Sequence, residues 1–411
     1  MVMAQQYIQT IKYRNLVIDL GNGLKTNAQL TYPAIGKGPF PGVLLVQGTG
    51  VVEVVNSTFG FVHKNDPKVP KPYLQIAQYL SERGFAVLRY DKRGVGANYT
   101  VSDKNVWGNM TFKDLKHDTQ KALAVLIQQP EVDPNKITII GHSEGSMIAP
   151  RIAIDNATKV KNIVLMGVVA QNLRDLQFFQ IVNTPLLYAE KVLDHNHDGL
   201  LSLSGASKDP VFSAMVGNLT LLLETTNGTK HQFNSKYNTN KDVYISINNE
   251  LKPKLITQFD SLSAVTPGKC NSMYACPIWL KSQYALEPTL SIIGNVSSAI
   301  SILMLNGEND SQTTVQQAFL LQQRLTDVKH PDHTLITYPN LGHVFYPSSQ
   351  WVTGPTPSQY KLVTGIGPIE PYVLADLYAW LEAHSGLSHP YIATPTSTLA
   401  ANAYTSSSSI R

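Results

Sequence analysis

Gly141-His142-Ser143-Glu144-Gly145 sets a serine between two glycines, after the β-branched run KITII and before the helical run SMIAPRIAID. In that setting the G-x-S-x-G spacing describes a tight strand-to-helix turn. Its hydroxyl stands exposed over a sheet, and the helix N-terminus beneath it favours negative charge. The chemistry open to such a hydroxyl is nucleophilic attack on a carbonyl. It needs a base to take its proton and a carboxylate to orient that base, in the chain order serine, acid, histidine.

Both partners follow in that order. Asp310 lies in Glu308-Asn309-Asp310, just past the run ISILMLNG, and His343 lies in Asn340-Leu341-Gly342-His343, just past HTLITYP. A carboxylate and an imidazole at the carboxyl ends of two strands face the same edge of a sheet as Ser143. Glu308 is the rival acid, and Asp310 could instead cap the helix opening at QTTVQQAF. His330 and His333 precede their strand and His384 falls in the terminal helix, so His343 is the expected base. A tetrahedral oxyanion needs two donors. The N–H of Glu144, directly after the serine, is one. The glycine-rich segment Gln47-Gly48-Thr49-Gly50 after PGVLLV offers the other, expected at Thr49, although on its own it reads as a simple glycine turn.

These residues need a scaffold that presents strand ends side by side. TIKYRNLVIDL and TNAQLTYP around Gly/Asn read as a hairpin. Short apolar runs then alternate with helical ones: PGVLLVQ, PYLQIAQYLSERG, FAVLRYD, FKDLKHDTQKALAVLIQQ, KITIIG, SMIAPRIAID, KNIVLMGVV and, after a gap, SSAISILMLNG, VQQAFLLQQRL, HTLITYP and PYVLADLYAWLEAH. The pattern predicts an α/β fold with a doubly wound, mostly parallel sheet and right-handed crossovers. The sheet core is expected from residues 1–170 and 298–390. A gap that long is improbable as a bare loop, so residues 171–297 read as a partly helical lid inserted between two strands. Residues 391–411 read as a flexible, serine-rich tail.

Strand, elbow serine, late aspartate and last-loop histidine resemble the α/β-hydrolase superfamily. The segments LRYDKRGVG, GHSEGSMIAP, NGEND and LGHVF resemble its serine-esterase branch, which is similar to prolyl-oligopeptidase-type and acyl-peptidase relatives. The resemblance covers roughly the first 170 residues and about 299–384, and it leaves the insert uncovered. It implies a serine hydrolase working through an acyl-enzyme on a small-molecule carboxylic ester, with amide or thioester cleavage as alternatives and no cofactor required. A complete triad argues against a non-catalytic binding protein on the same scaffold. The resemblance further implies that the charged side chains of Asp91 to Gly96 brace loops near the site; a phosphate cradle would need a Walker-type lysine and hydroxyl pair, which does not follow. Gln47 departs from the histidine that many relatives carry there, which bears on substrate placement more than on catalysis.

In the insert, Asp194, Asn196, Asp198, the Leu200 carbonyl and Ser202 fit positions of a calcium loop, with Gly199 at its sharp turn. A structural calcium ion in the lid is one reading. The bidentate acid expected at the loop's end is replaced by Gly205, and the other reading is an Asx-rich turn. Cys270 and Cys276 could close a small disulfide loop or stand as two thiols.

The chain's 411 residues are 43% hydrophobic and 15% charged, against roughly 25% charged in an average soluble domain. That composition excludes disorder. A net charge of +4 without a basic block excludes a nucleic-acid footprint, and no apolar run reaches the length of a membrane span. The sequons at Asn56, Asn98, Asn109, Asn156, Asn218, Asn227 and Asn295 lean slightly toward a secreted or extracytoplasmic setting, and MVMA reads as a start placed on a trimmed chain.

Overall fold

A computed structural model of the chain describes residues 10–50, 71–96, 100–217, 238–239, 242–262, 270, 276–347 and 367–387. The expected tail, 391–411, lies outside the described residues. Asn22 and Gly23 take φ of 53° and 76°, the pair of left-handed residues that a two-residue hairpin requires. The chain thereby reverses from β1 (Ile11–Gly21) into β2 (Leu24–Pro33). The buried runs that follow become β3 (Phe40–Val46), β4 (Ala86–Tyr90), β5 (Val132–His142), β6 (Val160–Met166), β7 (Ser301–Gly307) and β8 (His333–Tyr338). They form one eight-stranded sheet in the order β1-β2-β4-β3-β5-β6-β7-β8. Its first two pairings are antiparallel and the rest are parallel.

Side chains leave a strand on alternate faces, and here each face has its own helices. Val43 and Leu45 of β3 and Leu303 and Leu305 of β7 pack with α1 (Pro72–Ser81) and α6 (Pro371–His384). Leu44 and Val46, with Ile302 and Met304, pack with α2 (Phe112–Ile127), α3 (Glu144–Asp155) and α5 (Val315–Asp327) on the other face. The helices start where local chemistry says they should. Pro72 occupies the first turn of α1, whose Tyr73, Ile76, Ala77 and Leu80 line one side, and α2 opens with a capping box between Thr111 and Asp114.

Between β6 and β7 the chain leaves the sheet. Residues Leu173–Leu193 are continuously helical, alternating α and π turns. A small three-stranded sheet follows, from Leu200–Ser202, Asn238–Thr239 and Asp242–Ser246, and then the helix Lys252–Leu262. Val182, Tyr188, Phe212, Ile245, Leu255 and Phe259 make a second, separate core for this part. The two ends of the excursion behave differently. Leu173, Leu176, Trp279, Leu280, Ile293 and Val296 pack into the main core, with Trp279 on α4 (Pro277–Tyr284). A disulfide joins Cys270 to Cys276, the residue that caps α4. Among the described residues no helix is long and apolar enough to cross a membrane.

Two cores imply two levels of local stability. Phe259→Ala, which empties about the volume of a buried aromatic ring, should cost about 3–5 kcal/mol locally. Hydrogen exchange should accelerate between residues 182 and 262 while amides of β3, β5, β6 and β7 keep their protection. A uniform rise across the chain would mean that the two cores open as one.

Candidate active site

The turn after β5 is built from residues that tolerate crowding. Ser143 sits at φ 55° and ψ −116°, a strained conformation for a residue with a side chain. A Cβ on Gly141 would lie 2.1 Å from the Gly145 carbonyl oxygen, and one on Gly145 would lie 2.2 Å from the carbonyl oxygen of Val46. Strand, turn and helix can therefore close against each other and against β3 only with glycine at both places. The Ser143 N–H donates to the Met166 carbonyl at 2.9 Å, and the Ser143 carbonyl accepts from the Ser146 N–H and hydroxyl at 2.8 and 2.6 Å. The half-buried Ser143 is thus fixed where β5 gives way to α3.

Asp310 follows β7 and His343 follows β8, adjacent parallel strands, so the two loops meet at one sheet edge. The loops are laced together: Glu308 N–H donates to the Tyr338 carbonyl and Asn309 N–H to that of Leu341, both at 2.9 Å. Asp310 is buried. Its Oδ1 accepts the N–H groups of Gln312 and Thr313 at 2.8 Å, and its Oδ2 accepts from the Thr313 hydroxyl and from His343 Nδ1, again at 2.8 Å. A carboxylate oxygen can only accept, so His343 carries its proton on Nδ1. That leaves Nε2 as the basic nitrogen. Glu308 is turned elsewhere, its Oε1 accepting from the Thr337 hydroxyl on β8 at 2.8 Å. His333 opens β8 and His343 follows its carboxyl end, so the two histidines lie at opposite ends of that strand.

His142 braces His343, and Tyr73 in turn braces His142. The His142 ring lies 4.7 Å from the His343 ring, and its Nε2–H donates to the His343 carbonyl at 3.0 Å. His142 is fully enclosed, and burial, with His343 beside it, pushes its imidazole down to about 3. A neutral ring that donates from Nε2 must accept at Nδ1, so the Tyr73 hydroxyl 3.0 Å away donates to it, while the same oxygen accepts from the Gly48 N–H at 2.9 Å. Sequence reasoning missed Tyr73, His142 and Thr313 as site residues. Thr313 had a signal, standing three residues after an aspartate that could cap it; His142 lay inside the motif.

The segment Gln47 to Gly50 approaches the serine directly: a Cβ on Gly48 would lie 3.0 Å from Ser143 Cβ. Glu144 is the first residue of α3, whose N–H has no acceptor within its own helix. Gly48, one residue before Thr49, and Glu144, at the helix start, thus lie next to Ser143 in space and in sequence respectively. Gln47 points away, its amide donating to the Tyr90 carbonyl at 2.8 Å. In the Asp91 to Gly96 segment, Arg93 pairs with both oxygens of Asp118 and with Asp114, tying the loop to α2.

The residues of the expected calcium loop turn onto their own backbone. Asp194 accepts the N–H groups of Asp198 and Gly199, Asp198 accepts that of Leu200 and the Asn196 amide, and Ser202 caps the helix Leu203–Lys208 through Gly205. That is the bonding of an Asx-rich turn. Among the described residues no group of three or more His, Cys, Asp or Glu is placed to hold a metal ion.

The depressed His142 has a stability consequence with a definite sign. Its folded pKa lies below the ordinary 6.5, so the unfolded chain takes up the proton first. The stability from this group is therefore complete above about pH 6.5 and is lost as pH falls toward 3, at about 1.4 kcal/mol per pH unit. Urea unfolding of wild type and His142→Gln between about pH 7 and 4 should show the wild type losing stability faster with acid. Parallel curves would contradict a buried neutral His142.

Residues 71–215 match a protein-family model described as serine aminopeptidase, S33. The chain is 32% identical over 161 residues to esterase EstD of Thermotoga maritima, covering 39% of this chain and 34% of that protein. It is 23% identical over 172 residues to esterase FrsA of Yersinia pestis, covering 41% and 36%. The chain thus spans about a third of the length of these curated relatives. A solved structure, proline iminopeptidase of Mycobacterium smegmatis, is similar over 90% of this chain and 99% of its own, with a TM-score of 0.48 and 12% identity. The matched stretch runs from α1 through the serine turn and β6 into the excursion, and the described residues carry the mostly parallel sheet on which that turn is mounted. This sheet and this turn fit the α/β-hydrolase fold, and over residues 71–215 the chain is similar to the serine aminopeptidase S33 family.

Proposed function

We propose that the protein is a serine hydrolase that cleaves carboxylic esters through an acyl-enzyme. The observation that carries this reading is the His343 to Asp310 hydrogen bond, which puts the proton on Nδ1 and leaves Nε2 as a base at the sheet edge where Ser143 stands. Ser143 Oγ attacks the ester carbonyl carbon as His343 Nε2 takes its proton. The carbonyl oxygen becomes an oxyanion held by the N–H groups of Thr49 and Glu144. On collapse the C–O bond to the alcohol breaks, and His343 returns the proton to the leaving oxygen. Water, deprotonated in turn by His343, then attacks the acyl carbon; the bond from that carbon to Ser143 Oγ breaks, His343 returns the proton to Oγ, and the carboxylic acid leaves. Asp310 holds the imidazole in its working tautomer and stabilises the imidazolium. The names of the two curated relatives, both esterases, support the ester reading.

Amide cleavage is the second reading, because the matching family model is described as an aminopeptidase. The two readings differ in the leaving group. Turnover of p-nitrophenyl esters against aminoacyl-p-nitroanilides separates them, and faster ester hydrolysis is expected. The excursion between β6 and β7 we assign to substrate selection: it leaves the sheet at the carboxyl end of β6, beside Ser143, where ligands of open α/β sheets bind. It contributes no group to the reaction scheme.

Ser143→Ala should abolish both hydrolysis and labelling by a fluorophosphonate while leaving the fold intact. Labelling of a different serine, or activity that persists, would contradict the mechanism. Asp310→Asn should lower kcat by about 10⁴, whereas Glu308→Gln should change it little, because Glu308 is bonded to Thr337. The reverse ranking would assign the orienting role to Glu308.

A further inference from the structure

Lys92 and the side chain of Glu144 form a buried ion pair beside the serine turn, each under 5% exposed. Lys92 Nζ donates to Glu144 Oε2 at 2.5 Å and to the Gly48 carbonyl at 2.6 Å. The other Glu144 oxygen accepts from Trp279 Nε1 and Gln283 Nε2 on α4, both at 2.6 Å. Ion pairs buried this deeply contribute little net stability, because desolvation of the two charges offsets their attraction.

We propose that Lys92 and the Glu144 carboxylate are positioning residues that set the two oxyanion donors as a single unit. The inference rests on the serine-hydrolase reading above and adds to it two side chains that take no part in proton transfer. In a planar trans peptide the C=O and N–H point in opposite directions. The ammonium that holds the Gly48 carbonyl therefore turns the Thr49 N–H of the same peptide away from Lys92. The Gly48 N–H is separately held by Tyr73, so the peptides on both sides of Gly48 are pinned. Glu144 carries the second donor on its own backbone, and three hydrogen bonds to its side chain hold the residue in place. One ammonium thus ties the Thr49 donor to the Glu144 donor.

The pair also acts on charge. A bare carboxylate one residue from the nucleophile would oppose the negative charge that develops on the substrate oxygen, and Lys92 neutralises it. The cation further polarises the Gly48–Thr49 peptide, strengthening its N–H as a donor. Both effects apply to the tetrahedral state and leave substrate binding nearly untouched. The tethers to Trp279 and Gln283 link the unit to α4, so the end of the excursion that packs on the sheet core also fixes the donors.

The test measures kcat and KM on a p-nitrophenyl ester for wild type, Lys92→Met, Glu144→Gln and the double variant, each normalised to active sites titrated with a fluorophosphonate. Lys92→Met should lower kcat by about 10–100-fold with KM within about twofold, and should weaken a trifluoromethyl ketone, which mimics the tetrahedral state, by a similar factor. The double variant should regain part of the loss, because it removes the uncompensated carboxylate. Wild-type kcat per titrated site in Lys92→Met, a loss confined to KM, or a double variant slower than Lys92→Met would overturn the inference. Should Lys92→Met not fold, the double variant, which buries no unpaired charge, carries the test: a tenfold or greater fall in kcat at unchanged KM supports the proposal, and wild-type kcat overturns it. Wild-type protein that neither labels at Ser143 nor turns over ester would instead overturn the underlying hydrolase reading.

Discussion

The reversal from β5 into α3 is the constraint on which the rest of the site depends. It brings Ser143 to the sheet edge only because the chain closes on itself with no room for a Cβ at Gly141 or Gly145. The strain of Ser143's backbone is maintained by bonds from β6 and from the first turn of α3. Everything placed around the serine takes its position from this turn. Gly48 approaches it from β3, His142 reaches from inside it to the His343 loop, and Glu144 leaves it as the first residue of the helix.

A second rule runs through the site: polar groups are buried, and each has a job that holds a loop. Asp310 takes two backbone N–H groups and the Thr313 hydroxyl as well as His343, so its orientation is set by the protein's own groups. Tyr73 and His142 form a chain from the Gly48 N–H to the His343 carbonyl, linking the proposed oxyanion loop to the proposed base. Lys92 closes the arrangement from the other side of Gly48. Such networks are rigid when every member is satisfied and costly when one is removed.

Much of this was legible in the sequence because the signals were local. Alternating apolar runs marked each strand of the main sheet, Asn22-Gly23 marked its hairpin, and the spacing of Gly141, Ser143 and Gly145 marked the turn. Asp310 and His343 stood out because both follow strand runs closely. The excursion's small sheet was not legible. LLS and DVYIS are too short and too polar to announce strands, and they pair only because a second core assembles over them. Nor could spacing show that Trp279 and Gln283, 135 and 139 residues away, bond Glu144. Lys92 looked like one more charge in a loop-bracing segment, and its partners are set by how β3 and β4 lie beside the serine turn.

A covalent acyl-enzyme on Ser143 would be trapped by rapid mixing with a p-nitrophenyl ester followed by acid quench and peptide mapping. A burst of about one p-nitrophenol per active site is expected, with an acyl group on the peptide containing Ser143. A linear time course without a burst would be contradictory if Ser143→Ala retained the same rate, and so would an acyl group carried on any other residue.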